Sequence, residues 1–278
     1  MDLSWLESTF YGFVIGLTDI LPISAQAHRL LLIKLYGIRS DPGLMRLFVH
    51  LAIFGGLYYS CHSQILKIMR ARNLAKIPKR KRKRPLDVKS LMDLSLWKTM
   101  LIPVILSFFL YNKAAALGSN LIWMATFMFL NGLMLYIPQF LPGCNKDSRM
   151  LSRVEGLLMG LGGAVAVLPG FSAIGASVSI GSICGVERNY GLTMSMLMNL
   201  GLLAGLIVFD IMGLISGGVD TISLLILLSY LVAAVAALCG TLLGIKIMRS
   251  LALNGGFPLF AYYCWGVALF TFILNLMA

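Results

Sequence analysis

"LTDILPISAQAHRLLL", from Leu17 to Leu32, sets an acid, a proline, a serine and a His-Arg pair inside an apolar stretch. A plain lipid-facing helix has no use for any of them. Pro22 lacks an N–H and disfavours helical backbone in the residue before it, so a helix arriving from the N-terminal side ends near Leu21. The apolar sequence nevertheless continues on both sides, over residues 8–36. A second region, 153–187, has the same form and is broken by "LPGFS" at 168–172. A broken helix at membrane depth is stable where protein or a wet cavity covers the freed backbone. Both regions read as re-entrant helical hairpins with tips near mid-membrane. A kinked spanning helix is the alternative that the residues leave open.

The rest of the chain fixes the class. Of 278 residues, 59% are hydrophobic and 12% charged, against about 25% charged in soluble domains. The apolar runs are long and continuous rather than alternating, which gives helices and not a barrel. Six further segments, 43–67, 93–113, 120–141, 190–214, 221–245 and 256–276, meet the length of about 20 residues needed to span. The fold class is therefore an all-α polytopic membrane protein, six spanning helices plus two re-entrant hairpins. "MDLSWLESTF" lacks the basic start of a cleavable signal peptide.

The two broken regions resemble one another: "GFVIGL" (12–17) and "GLLMGL" (156–161) share a GxxxGL frame, and each precedes a proline and a serine. One hairpin plus three spans crosses the membrane an odd number of times. The halves 1–141 and 142–278 then form an inverted repeat, whose sites lie where paired broken helices meet. Residues 67–89 hold eleven of the 23 basic residues and one acid, Asp87. They read as a cytoplasmic loop obeying the positive-inside rule, with attraction to anionic headgroups as a by-product. Lys146, Arg149, Arg153, Arg188, Lys246 and Arg249 then fall inside and Asp220 outside, while Lys34, Arg39, Arg46 and Lys113 disagree. No folded basic domain surrounds the run, which argues against nucleic acid. Cys61, Cys144, Cys184, Cys239 and Cys264 are scattered without ligand spacing, so no metal site is expected from them.

Ionisable residues at membrane depth are costly and mark function. Asp19, Ser24, Gln26, His28 and Arg29 cluster at the first break, and Ser172, Ser177 and Ser179 at the second. The helix starting after each break points N–H groups and a positive dipole end into one volume. Amides, serines, a histidine and an arginine suit an anion such as phosphate, and the apolar surround suits a lipid tail. Each residue also has a plainer role. Ser24 caps a helix, Asp19 caps or pairs with Arg29, His28 bonds between helices, and Arg29 snorkels. Glu155 and Glu187 read as helix-end charges. His50, His62, Asn131, Asn199 and Asp210 stand alone and read as packing or interfacial residues.

These motifs carry a resemblance. "GLTDILPISAQAHRLLL" (16–32) is similar to the "GLTEFLPISSTGHLIL" motif of the undecaprenyl pyrophosphate phosphatase (BacA/UppP) family. "GLGGAVAVLPGFSAIGASVSIGSICGVER" (160–188) resembles that family's second motif, "GxxQxLAxxPGxSRSGATIxxGxxxGxxR". The resemblance implies a site where a C55 polyprenyl diphosphate loses its terminal phosphate, in the bacterial inner (cytoplasmic) membrane, for envelope polymer synthesis. A role in returning the carrier lipid across the membrane is also proposed for this fold. Ser24, His28 and Ser172 match, and Asp19 stands for a glutamate. Ile15, Ala25, Gly163, Ala173 and Ile174 replace an upstream glutamate, the second serine of PISS, a glutamine and the Arg-Ser of SRSG, while Ser177 stands for a threonine.

Those departures fall on chemistry rather than packing, because phosphoryl transfer depends on charge-stabilising groups around the phosphate. Two readings follow. The first is a membrane protein that binds and translocates undecaprenyl phosphate or a related lipid, with weak or no hydrolysis. Its headgroup ligands are Ser24, Gln26, His28, Arg29, Ser172 and Ser177. The second is an active undecaprenyl-diphosphate phosphatase, with His28 as nucleophile or acid/base, Asp19 orienting it, and Mg²⁺ or Ca²⁺ as cofactor. A soluble-sugar or ion transporter on the same fold is a third reading. Membrane lipids and, as a homodimer, a second copy of the chain complete the expected partners.

Overall fold

A computed structural model describes residues 4–37, 43–141, 145–217, 223–253 and 255–277. Arg39, Cys144 and Asp220, used above, lie outside the described residues. Every named element is helical. The order is α1 (Trp5–Ile20), α2 (Ala25–Leu35), α3 (Gly43–Ala75), α4 (Val88–Ser107), α5 (Tyr111–Leu117) and α6 (Leu121–Tyr136). It continues with α7 (Arg153–Ala164), α8 (Ala173–Ile183), α9 (Arg188–Gly217), α10 (Leu224–Leu253) and α11 (Phe257–Met277). Six helices are long and apolar enough to cross a membrane: 43–75, 88–114, 121–140, 188–217, 224–251 and 257–277. Each contains or closely overlaps a segment expected from sequence.

The two broken regions behave differently from these six. α1 has 16 residues and α2 has 11. At 1.5 Å per residue these arms reach about 24 and 16 Å, short of the roughly 30 Å hydrocarbon layer. α7 has 12 residues and α8 has 11. Within each pair the arms pack on one another. Local chemistry sets their ends. A capping box opens α1, with Ser4 and Glu7 satisfying each other's backbone N–H, and Ser152 with Glu155 opens α7 in the same way. Pro22 and Pro169 close the outgoing arms, and Ser24 and Ser172 cap the returning ones.

Packing between the halves is reciprocal. α1 lies along α10, and α7 lies along α4. The GxxxGL frames explain both contacts. A Cβ on Gly12 or Gly16 would strike the Ala233 or Ala237 carbonyl of α10. A Cβ on Gly160 would strike the Met100 carbonyl of α4. Small residues let backbones approach where lipid supplies no hydrophobic drive. α6 packs on α11, while α3 bridges α9 and α10. The core is a continuous cluster that includes Tyr11, Ile20, Met45, Ile53, Met100, Met128 and Ile174. Leu224, Leu225, Leu231 and Val235 of α10 face outward, as a lipid-exposed helix requires.

The basic run is less of a loop than its charge implies. α3 continues to Ala75, so Lys67, Arg70 and Arg72 are helical. Straight-chain basic residues are good helix formers and project their charge clear of the membrane. A single 3-10 turn, Lys79–Lys81, precedes α4, which Asp87 caps.

At the loop end of α7, outside the spanning helices, the Lys146 ammonium and the Ser152 backbone N–H hold the Glu155 carboxyl below the usual glutamate range. A depressed folded-state value means its contribution is present above the ordinary value of 4.5 and is lost as pH falls through the lowered one. The Tm difference between the wild type and Glu155→Gln should therefore shrink on going from pH 7 to pH 4. An unchanged difference would rule out this role.

Candidate functional site

The two breaks meet. Leu21–Ser24 and Leu168–Ser172 lie tip to tip, and three kinds of contact hold them there. Ser24 is the one non-glycine with positive φ, +64°, among the described residues, a conformation retained only where the surroundings enforce it. Its Oγ accepts from Ala27 N at 3.3 Å, within its own helix, and from Gly170 N at 3.2 Å, across the gap. Ser172 Oγ accepts from Gly175 N and donates to Leu21 O at 3.4 Å. Gly175 sits under Pro22, where a Cβ would come within 2.5 Å of the proline ring.

Asn131 of α6 ties the tips together. Its Nδ2 donates to Pro22 O at 2.9 Å, and its Oδ1 accepts from Ser172 N at 3.1 Å. The reading of Asn131 as an isolated packing or interfacial residue is thus corrected: it satisfies one backbone group at each proline break. Asn131→Ala leaves the buried Ser172 N–H without its acceptor and Pro22 O with only the weak Cys264 thiol donor at 3.8 Å, a loss of about 1–3 kcal/mol. Chemical denaturation should show the loss. A change under about 1 kcal/mol would mean that the tips hold without it.

His28 is held from both sides. Its Nδ1 lies 2.8 Å from Ser24 O, so Nδ1 carries the hydrogen. Its Nε2 lies 2.8 Å from the Tyr263 hydroxyl, and the two rings stack. Sequence gave no sign of Tyr263, one of many tyrosines near a helix end.

Beside the tips is a cavity of about 80 Å³, several times the roughly 10–15 Å³ that one water needs. Its polar lining is Asp19, Gln26, Arg29, His50, Tyr111, Ser172 and Asn199, and Ile15, Ala25 and Ala173 are among its apolar walls. Three of the six expected headgroup ligands, Gln26, Arg29 and Ser172, therefore face one space. Ser24 and His28 lie behind that lining in the contacts just described. Ser177 is elsewhere, buried in α8, where it accepts from Ser195 Oγ at 2.9 Å.

The serine caps take the N–H groups of Ala27 and Gly175. The first N–H groups of α2 and α8, from Ala25, Gln26 and Ala173, lie outside the helical ladders, and these residues line the cavity.

Two residues read from sequence as isolated belong to this site, and a third supports it. Asn199 Nδ2 donates to Asp19 Oδ2 at 3.0 Å. His50 lines the cavity while its Nδ1 bonds Asp210 Oδ2 at 2.6 Å, and Asp210 also takes Arg46. Asp210 is almost wholly buried. These are corrections with one cause: each polar residue is unremarkable in its own helix and acquires a partner only when α1, α3 and α9 pack. A lone acid within a span was the signal available for Asp210.

The donor set is poor for Mg²⁺ or Ca²⁺. Asp19 is the one carboxylate lining the cavity, and no group of three or more His, Cys, Asp or Glu side chains suited to a metal occurs among the described residues. Both cations prefer several oxygen ligands, so the residues present do not fit the metal that an active phosphatase of the resemblance implies.

Comparison with known proteins agrees with the motifs. Residues 8–270 match the family described as bacitracin resistance protein BacA. The chain is 27% identical over 274 residues to an undecaprenyl-diphosphatase of Methanobrevibacter smithii, across 96% of each chain. It is 25% identical over 273 residues to one from Halothermothrix orenii, covering 95% of this chain and 96% of the relative. A third, from Thermosipho africanus, is 27% identical over 267 residues, covering 95% and 98%. With a match running nearly from end to end, the chain belongs to the BacA family.

Proposed function

We propose that the chain binds the phosphate end of a polyprenyl carrier lipid, undecaprenyl phosphate or a close relative, in the cavity beside the tips. It passes that lipid across a bacterial inner membrane and hydrolyses little or no diphosphate. The observation that carries this reading is the lining of the cavity. Two helix N-termini, Arg29, His50 and the Gln26 amide converge on one phosphate-sized space that holds a single carboxylate. Helix N-termini and arginine are general anion-binding groups.

The hydroxyls a cleavage reaction would draw on are already committed. Ser24 and Ser172 both cap helices. His28 spends both ring nitrogens on Ser24 O and Tyr263. The exchange of partners between halves, α1 on α10 and α7 on α4, supports two inverted hairpins meeting at one site, an arrangement suited to alternating access.

Hydrolysis is the second reading, favoured by the end-to-end similarity to relatives named undecaprenyl-diphosphatase. The two separate cleanly. Purified protein given undecaprenyl diphosphate with Mg²⁺ or Ca²⁺ should release no phosphate above background. It should bind undecaprenyl phosphate saturably, with affinity falling about 30-fold or more in Arg29→Ala. Multiple-turnover release, abolished in His28→Ala, would overturn the first reading in favour of the second.

A further inference from the structure

The headgroup cavity does not stand alone. On the far side of two of its walls runs an apolar groove of about 640 Å³, between α4–α5 and the second hairpin. Its sides are carbon almost throughout, with Leu106, Leu110 and Ala114 facing Leu161, Val165 and Leu168. Val167 lines both spaces. Its 3-10 turn, Val165–Val167, gives Ala166 to the cavity and Val165 to the groove. The start of α5 is divided in the same way, with Tyr111 on the cavity and Ala114 on the groove, beside Leu110 of the preceding 3-10 turn. Two elements distant in sequence thus each stand with one side on each space.

We infer that the isoprenoid chain of the bound lipid leaves the cavity between Val167 and Tyr111 and lies along this groove. The assignment rests on the phosphate-binding reading above and adds the path of the tail. The chemistry orders itself as a single-headed amphiphile requires, with an anion-binding space at one end and a hydrocarbon wall directly beyond it. Ser107, the hydroxyl in the groove, donates to Val104 O at 2.7 Å in its own helix. Lys113 is exposed. Apart from Ser107 and Lys113 the lining is apolar, which fits a chain that carries no polar atom past its phosphate. Lipid tails are as apolar as leucine, so affinity here comes from shape and packing rather than from escape from water. Ordinary bilayer acyl chains are therefore the competing occupant.

Leu161→Trp and Leu110→Trp test the path. Both leucines are about half exposed, at 50% and 56%, so a larger ring fills the groove without entering the core. In the full chain in nanodiscs, each variant should bind undecaprenyl phosphate about tenfold more weakly than wild type while its affinity for inorganic phosphate stays within about twofold. Unchanged lipid affinity in both variants, or an equal loss for both ligands, would overturn the assignment.

A prenyl phosphate bearing a diazirine on its chain supplies an independent reading on wild-type protein. It should label the groove, with labelling suppressed by undecaprenyl phosphate and not by excess phosphatidylglycerol. Equal suppression by both lipids would mean bulk acyl chains occupy the groove, and would sink the inference. Wild-type protein that binds neither inorganic phosphate nor the lipid would instead remove the headgroup reading, and this inference with it.

Discussion

Gly16→Val is expected to lower stability by at least about 4 kcal/mol, the range reserved for disruptions with a specific structural cause. A side chain at Gly16 meets the backbone carbonyl of Ala237, and one at Gly12 meets that of Ala233. Backbone cannot turn aside as a flexible side chain does, so α1 must lift from α10. That movement also breaks the bond from Thr241 Oγ1 to Gly16 O. From the opposite face, a Cβ on Gly240 would likewise strike the Phe13 carbonyl, so the contact is built by small residues on both helices. Thermal unfolding in detergent reads the effect. A variant within about 1 kcal/mol of wild type would show that the two backbones are not in this register.

Asp210→Ala is the second large effect, with an expected loss of about 3–5 kcal/mol, because removing one partner of a buried pair strands the charge left behind. Here Arg46 loses its bond to the buried carboxylate and His50 loses its Nδ1 partner. The substitution also frees the His50 ring, whose Nδ1 is fixed by Asp210 and whose face lines the cavity. Phosphate affinity should therefore fall along with stability. His50→Gln separates the two effects, since it leaves the Arg46–Asp210 pair in place. It should weaken phosphate binding while lowering stability less than Asp210→Ala does. Equal stability losses, with phosphate binding untouched in His50→Gln, would make the trio purely structural.

Much of the fold was legible in the sequence because it rests on local chemistry. Length and apolarity marked the six spanning helices. Pro22 and Pro169 marked both breaks, and Ser24 and Ser172 marked the helices that resume after them. The two GxxxGL frames signalled close packing, and each does lie against a long helix, α10 for one and α4 for the other. The site was legible only in outline. Gln26, Arg29 and Ser172 were singled out because they sit near a break, and all three line the cavity.

His50, Asn131, Asn199 and Asp210 sit in ordinary apolar helices far from either proline. Their importance lies in partners more than a hundred residues away, as with His50 and Asp210, or Asn199 and Asp19. No periodicity or spacing carries that information. Even near the breaks, proximity misled in part. Ser24 bonds across to the other tip, His28 bonds Ser24 O of its own helix and Tyr263 of α11, and Ser177 turns to Ser195.

The loss of an upstream acid at Ile15 and of polar groups at Ala25 and Ala173 acquires a physical meaning from the cavity. All three line it. Where the family pattern carries charge or hydroxyl, this chain presents carbon. The groups to which the proposed reading assigns the phosphate are the two helix N-termini, Arg29 on α2 and His50 on α3, all at the cavity. On the proposed reading, a space with those groups and one carboxylate holds a phosphate rather than splitting a phosphoanhydride, which needs charge stabilisation at the leaving group as well.

The most direct measurement is a high-resolution map of the full chain in nanodiscs with undecaprenyl phosphate bound. The phosphate should lie between Gln26 and Ser172, within hydrogen-bonding reach of Arg29 and of the first N–H groups of α2 and α8. A headgroup found anywhere outside this cavity, or a map with the lipid bound and the cavity empty, would contradict the assignment.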